Sequence, residues 1–387
     1  MAHQILMLGG RRCGKTSILA SIVYVLKENT EIFSVHDHTD YTQNEGGVSL
    51  SAKRIEIDNY LKNRKNAGKN NNFLVDFSST KGIGKYHIAT QIKGKSPVAF
   101  DFVDVQGEAM EVKSTFHNET VELVKNSDVF VIAIDTPYLM QDINDNINTV
   151  WNRTEEITDM LGNISIENEN IDRKLIILCP VKCEHWTQHG QADMVTERVC
   201  KAYRRLINNW VNHKAVDIWV MPIETAGGIE HSKLLDGYRL FKNEQDLVGE
   251  LCSINDLTGQ IMLKNGAMVS SSSVYMVENE PDKSMMYDFT QIPLSWYIVN
   301  GKGFKPERCE QPAYHIFRFL IKKEENAVRI EQSIVNNAPW WKRWWKRIWS
   351  PPFGRYLAEY KRVIDKLEEQ HLIKYSGDGF LKIEKTV

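Results

Sequence analysis

The sequence predicts an α/β protein built on a mainly parallel sheet, with a helical and hairpin extension toward the C-terminus. Three observations carry this. The segments DVFVIAI (128–134), KLIILCP (174–180) and AVDIWVMPI (215–223) are apolar almost throughout, as strands covered on both faces must be. Stretches of helical length separate them, the pattern of parallel strands joined by crossovers. A glycine-rich turn also stands between the first strand-like run, HQILML (3–8), and the first helix-like run, SILASIVYVLKEN (17–29).

Taken in order, the polar residues 29–72 carry Gly46-Gly47, Asn70 to Asn72 and the charged stretch AKRIEIDNYLKNRKN, and read as a helical or mobile insertion. FLVDF (73–77), YHIATQI (86–92) and VAFDFVDV (98–105) read as strands, with Gly82, Gly84 and Gly94 at the turns. Helices are expected over 108–126, 147–162 and 191–213. These elements define a first domain over 1–235. Residues 236–330 form an extension of short strands ending in an amphipathic helix, PAYHIFRFLIKKEE (312–325). Residues 331–387 hold a tryptophan-rich segment, the helix YLAEYKRVIDKLEEQHL and a hairpin turning at Gly377-Asp378-Gly379. That last helix and hairpin read as a small docking element.

The 387 residues are 42% hydrophobic and 25% charged, enough to bury a sizeable core. A net charge of −2 gives no global basic field, so nucleic acid is not an expected partner. No apolar run reaches the length of a membrane span, and the start lacks a signal-peptide pattern, so a cytoplasmic protein is expected. Six cysteines, at 13, 179, 183, 200, 252 and 309, include no two pairs at metal-ligand spacing and read as reduced thiols.

The chemistry starts at Gly9-x-x-x-x-Gly14-Lys15-Thr16, after a strand and before a helix. Glycines let successive N–H groups curl around a phosphate, and the helix N-terminus adds its dipole. Lys15 is then placed to bridge the β- and γ-phosphates and the Thr16 hydroxyl to ligate Mg²⁺; Arg12, Cys13 and Ser17 complete the loop's contacts. Arg11 and Arg12 either stabilise transition-state charge in cis or face solvent or a partner subunit. Asp104, at the tip of an apolar strand, is the expected second Mg²⁺ group, with Asp101 as competitor. Gly107, three residues on, can offer its N–H to a γ-phosphate, and Glu108 follows it. Thr80, with Thr42 behind it, is the threonine expected to close over the metal.

Two later loops suit a base. Lys182 can pack its stem on a purine while Glu184 accepts from the N1–H and 2-amino groups of guanine. Backbone N–H groups from Thr225 and Ala226 to Gly227 can meet the guanine O6.

These four motifs, in this order, resemble the translation-factor-related class of P-loop GTPases, whose fold is Ras-like. More narrowly, GGRRCGKTS, DVQGE, CPVKCE and CEQP (309–312) look like the prokaryotic double-GTPase-like proteins of bacterial conflict and signalling gene clusters. The resemblance implies GTP, Mg²⁺ and slow hydrolysis governing the binding of a protein partner, one encoded nearby. Val181 stands where the base motif carries Asn, Glu184 where it carries Asp, and Glu108 where relatives place a water-orienting Gln or His. Only one phosphate loop is present. One alternative is a P-loop ATPase or nucleotide kinase, against which the Lys182/Glu184 pair and the lack of a lid arginine cluster speak; another is a nucleotide-regulated membrane-surface effector acting through the tryptophan-rich helix.

WWKRWWKRIW (340–349) places tryptophans on one helical stripe and Lys342, Arg343, Lys346 and Arg347 on the other. The pattern fits intramolecular packing, transient contact with an anionic membrane surface, or a protein partner.

Overall fold

The computed structural model describes residues 3–10, 13–28, 33–38, 50–65, 73–74, 83–92, 98–110, 113–141, 147–164, 166, 169, 172–242, 250–255, 260–263, 268–270, 287–337, 362, 365, 368–369 and 373–384. The chain is an α/β protein with two sheets. In chain order the first sheet takes β1 (His3–Gly9), β2 (Phe33–His38), β4 (Ile83–Ile92), β5 (Val98–Val105), β6 (Val129–Asp135), β7 (Lys174–Val181), β8 (Val216–Val220), β14 (Ser376–Gly377) and β15 (Phe380–Ile383). Their spatial order is β14-β15-β8-β7-β6-β1-β5-β4-β2. The central strands β8, β7, β6, β1 and β5 run parallel, and β4, β2 and β15 join antiparallel at the sides.

Alternation along these strands sorts the core into two layers. Ile5 and Met7 of β1, Val129 and Val131 of β6, and Leu175 and Ile177 of β7 face one side. There they meet Ile18, Leu19 and Ile22 of α1 (Lys15–Glu28) and Tyr314, Phe317 and Leu320 of α10 (Glu310–Asn337). Leu6 and Leu8, Phe130 and Ile132, and Ile176 and Leu178 face the other side. They meet α3 (His117–Asn126), α6 (Thr154–Leu161), α8 (Ala192–Ala202) and α9 (Arg204–Trp210) through Val124, Ile157, Val199 and Leu206. Helices on both faces account for the uninterrupted apolarity of β6 and β7.

The second sheet is antiparallel, in the order β12-β11-β10-β9-β13-β3. It comprises β3 (Phe73–Leu74), β9 (Ile229–Lys242), β10 (Glu250–Asn255), β11 (Gln260–Leu263), β12 (Met268–Ser270) and β13 (Tyr287–Val299). Helix α2 (Leu50–Lys65) buries Ile57 and Leu61 against Ile229, Tyr297 and Val299 at the root of this sheet.

Several expectations need correction. The 29–72 insertion is not purely helical, since β2 lies in it and pairs with β4. FLVDF is a strand as expected over Phe73–Leu74, but this strand, β3, pairs in the second sheet. The helix expected over 108–126 is a 3-10 turn, Gly107–Met110, followed by α3. The one expected over 147–162 is α5 (Ile147–Asn152) and α6, parted by Arg153 in the left-handed region (φ 52°). The 191–213 helix breaks at Tyr203 into α8 and α9. β9 runs through residue 235 and α10 through residue 330, so both expected boundaries fall inside elements. The C-terminal hairpin is no separate docking element: β15 pairs antiparallel with β8. Among the described residues no helix is long and apolar enough to cross a membrane. The tryptophan-rich segment, Arg12, Thr80 and Thr42 lie outside the described residues.

Candidate functional site

β1 lies between β5 and β6, where the strand order reverses, and in open α/β sheets ligands bind beyond the carboxyl ends of the strands at such a point. Lys15, Thr16, Asp104, Lys182, Glu184, Thr225 and Ala226 come to that edge, and Asp101 does not.

The turn after β1 is shaped by close packing. A Cβ on Gly10 would lie 1.9 Å from the Trp151 carbonyl, and Gly14 has φ +104°, which side-chain-bearing residues avoid. Lys15 opens α1, and its Nζ donates to the carbonyls of Gly9 (3.0 Å) and Gly10 (2.9 Å), so the ammonium is stationed over its own turn. Thr16 Oγ1 donates to Asp104 Oδ2 at 2.6 Å, and Asp104 is fully buried. Asp104 sits opposite Met7 in the β1/β5 register, which brings the tip of β5 under the N-terminus of α1. Asp101 pairs with Gln4, three residues back along the strand. Gly107 is buried and begins the 3-10 turn; Glu108 lies in that turn, and its side chain lies outside the description.

A hydroxyl and a carboxylate at this spacing are oxygen donors of the kind Mg²⁺ takes. With Lys15 and the α1 N-terminus beside them, the residues present fit a metal-bound phosphate group. Ser17 lies in the same first turn of α1.

The later loops join the same edge. Val181 Cγ2 would stand 3.8 Å from a Cβ on Gly14, so the end of β7 abuts the glycine turn. Lys182 takes a left-handed backbone (φ 58°), and its Nζ donates to Asp135 Oδ2 at the end of β6. Burial opposes the ammonium charge, but the Asp135 carboxylate outweighs it and holds Lys182 above the usual lysine range.

Glu184 is buried in α7 (Glu184–Gln188), and its Oε1 accepts from the backbone N–H groups of Ala226 (3.0 Å) and Gly227 (3.1 Å). Here the two base-reading loops contact each other: amides assigned from sequence to a guanine oxygen serve the Glu184 carboxylate. A carboxylate withdrawn from water needs donors, and these are the nearest. Burial pushes Glu184 up to about 7, against the opposing pull of those amides. The carbonyl of Thr225 accepts from Ser21 Oγ at 2.7 Å, tying this loop to α1.

Sequence reasoning missed Asp135, Asn152 and Ser21. Asn152 bonds the Asp135 backbone through both ends of its amide, accepting from N (2.6 Å) and donating to O (3.2 Å). Asp135 was accessible to the argument used for Asp104, being the first charged residue at the tip of a wholly apolar strand. Among the described residues Cys13, Cys179, Cys183, Cys200 and Cys309 are free thiols, as expected. No protein-family model matches the chain, and a search of curated proteins found no significant match.

Proposed function

We propose that this chain is a P-loop nucleoside-triphosphate-binding protein of the Ras-like kind, a Mg²⁺-dependent GTPase working as a switch. The observation that carries the reading is the Thr16–Asp104 contact at 2.6 Å. It joins a helix-start hydroxyl and a strand-tip carboxylate, 88 positions apart, at the mouth of a glycine turn whose lysine is already in place. In such a site Mg²⁺ neutralises phosphate charge. Lys15 exchanges its two carbonyls for phosphate oxygens, and the α1 N-terminus supplies N–H donors. Gly107 follows Asp104 closely enough to report on the terminal phosphate, and the 3-10 turn behind it can carry that report to a protein partner through residues 236–387.

The GTP assignment rests on Lys182 and Glu184. One observation favours a second reading, a base-indifferent P-loop ATPase: Glu184 Oε1 already holds the Ala226 and Gly227 amides. Competition separates the two. Labelled GTP bound with Mg²⁺ is challenged with excess ATP, for wild type and Glu184→Ala. Retention of GTP by wild type and loss of that preference in the variant supports the GTPase. Equal competition by ATP in wild type leaves a P-loop ATPase, and no Mg²⁺-dependent binding of either nucleotide removes both readings.

A further inference from the structure

Helix α7 carries His185 one residue beyond Glu184, and His189 caps its end. On β9, Glu230 lies across from them. His185 Nδ1 stands 3.0 Å from Glu230 Oε1, and His189 Nδ1 stands 3.6 Å from the same oxygen. One nitrogen from each ring and one Glu230 oxygen lie within 4.8 Å of one another.

Around a tetrahedral ion with bonds near 2.0–2.1 Å, ligand atoms sit about 3.3 Å apart, so the present spacing needs only small rotations to close on a cation. The framework beneath is fixed. Trp186, next to His185, is buried and stacks on His231, next to Glu230, with ring centroids 5.4 Å apart. His231 is held in turn by Ser295 Oγ at 2.9 Å. The neighbours of two ligands are thus locked together, which presents His185 and Glu230 side by side. The two imidazoles are four residues apart, one turn of helix, and their ring centroids are 5.0 Å apart. His189 Nδ1 also lies 2.5 Å from the His185 carbonyl, a bond that metal capture exchanges or that leaves Nε2 as the ligand.

From this the geometry points to a transition-metal site formed by His185, His189 and Glu230, taking Zn²⁺ or a similar ion with a fourth position open to water. Two imidazoles and one carboxylate suit zinc, cobalt or nickel and not magnesium, which distinguishes the site from Thr16 and Asp104. A metal here pins α7 to β9, and with them the 182–184 and 224–227 loops at their outer side. The site does not depend on nucleotide binding.

The test uses Co²⁺ as a spectroscopic probe on the reduced full chain. Wild type is expected to bind one equivalent with visible absorption of a nitrogen/oxygen ligand set and no thiolate-to-metal band. His185→Ala, His189→Ala and Glu230→Gln should each weaken binding by more than about tenfold, since even outer-shell partners cost that much. Thermal melts without metal check that these variants are folded, and Glu230→Gln keeps shape as well as hydrogen bonding. Thr16→Ala should bind Co²⁺ like wild type whether or not it binds nucleotide. Absence of binding to wild type, a thiolate band, or unchanged affinity in any one of the three ligand variants overturns the site and leaves a histidine–glutamate ion cluster.

Discussion

Lys15 spends its charge on two carbonyls of the turn that precedes it, a position that keeps the ammonium dehydrated and aimed. Replacing it with alanine should leave the fold intact and weaken Mg²⁺-GTP binding on the order of a hundredfold, equivalent to about 2.8 kcal/mol. A fluorescent-nucleotide titration reads this, and wild-type affinity in the variant would remove the lysine from the site. Glu184 makes a different prediction. Its carboxyl is pushed up to about 7 in the folded chain from an ordinary value of 4.5, so the native state binds more protons than the unfolded state between those limits. Stability should therefore fall as pH rises from about 4.5 to about 7, by on the order of 3 kcal/mol, and this slope should flatten in Glu184→Gln. Urea denaturation across that range compares the two; parallel curves would mean that Glu184 titrates normally. Gly10 is constrained by its neighbour's backbone, and Gly10→Ala should cost about 3 kcal/mol or more, because the Trp151 carbonyl cannot withdraw without moving α5.

At the scale of elements, legibility followed the environment each segment meets. β6, β7 and β8 could be read because helices cover both their faces, and their residues are almost all apolar. β2 could not: FSVHDH is polar but for Phe33 and Val35 and pairs with a single neighbour at the sheet's edge, so apolarity does not mark it. The second sheet was seen only as short strands. Its long pair, β9 and β13, mixes polar and apolar residues without a clean period and depends on pairing across a wide gap in sequence that local reasoning cannot weigh. Helix breaks at Arg153 and Tyr203 carry no glycine or proline to announce them. At the site, Lys15, Thr16 and Asp104 were legible because they fall in motifs of recognisable spacing. Asp135 belongs to no such motif, and its partnership with Lys182 exists only once β6 and β7 lie side by side. α10 shows how far its length was underestimated: its first half packs on the main sheet. Phe317→Ala, at 2% exposure, should therefore destabilise the whole α/β unit by about 3–5 kcal/mol in chemical denaturation. A loss below about 1 kcal/mol would mean that this helix is an appendage.

For the whole molecule, the proposed site draws on five strand ends and α1 at once, so a ligand bound there would be linked to the fold. Mg²⁺-GTP at about a hundred times its dissociation constant should stabilise the chain by about 2.7 kcal/mol, read as a shifted urea midpoint. The same addition should do nothing for Lys15→Ala, and an equal shift there would place the nucleotide elsewhere. The pairing of β15 with β8 has a consequence of another kind, in time. Ile383 pairs with Ile218, so the exposed rim of β8 is covered by residues made much later. At about 5–20 residues per second, the interval of roughly 160 residues leaves that rim open for about 8–30 seconds on the ribosome. An uncovered strand invites the wrong neighbour. Synthesis of this protein therefore passes through a stage in which its parallel strands exist and the sheet is still unfinished along one side, and any chaperone that greets it has that border to guard.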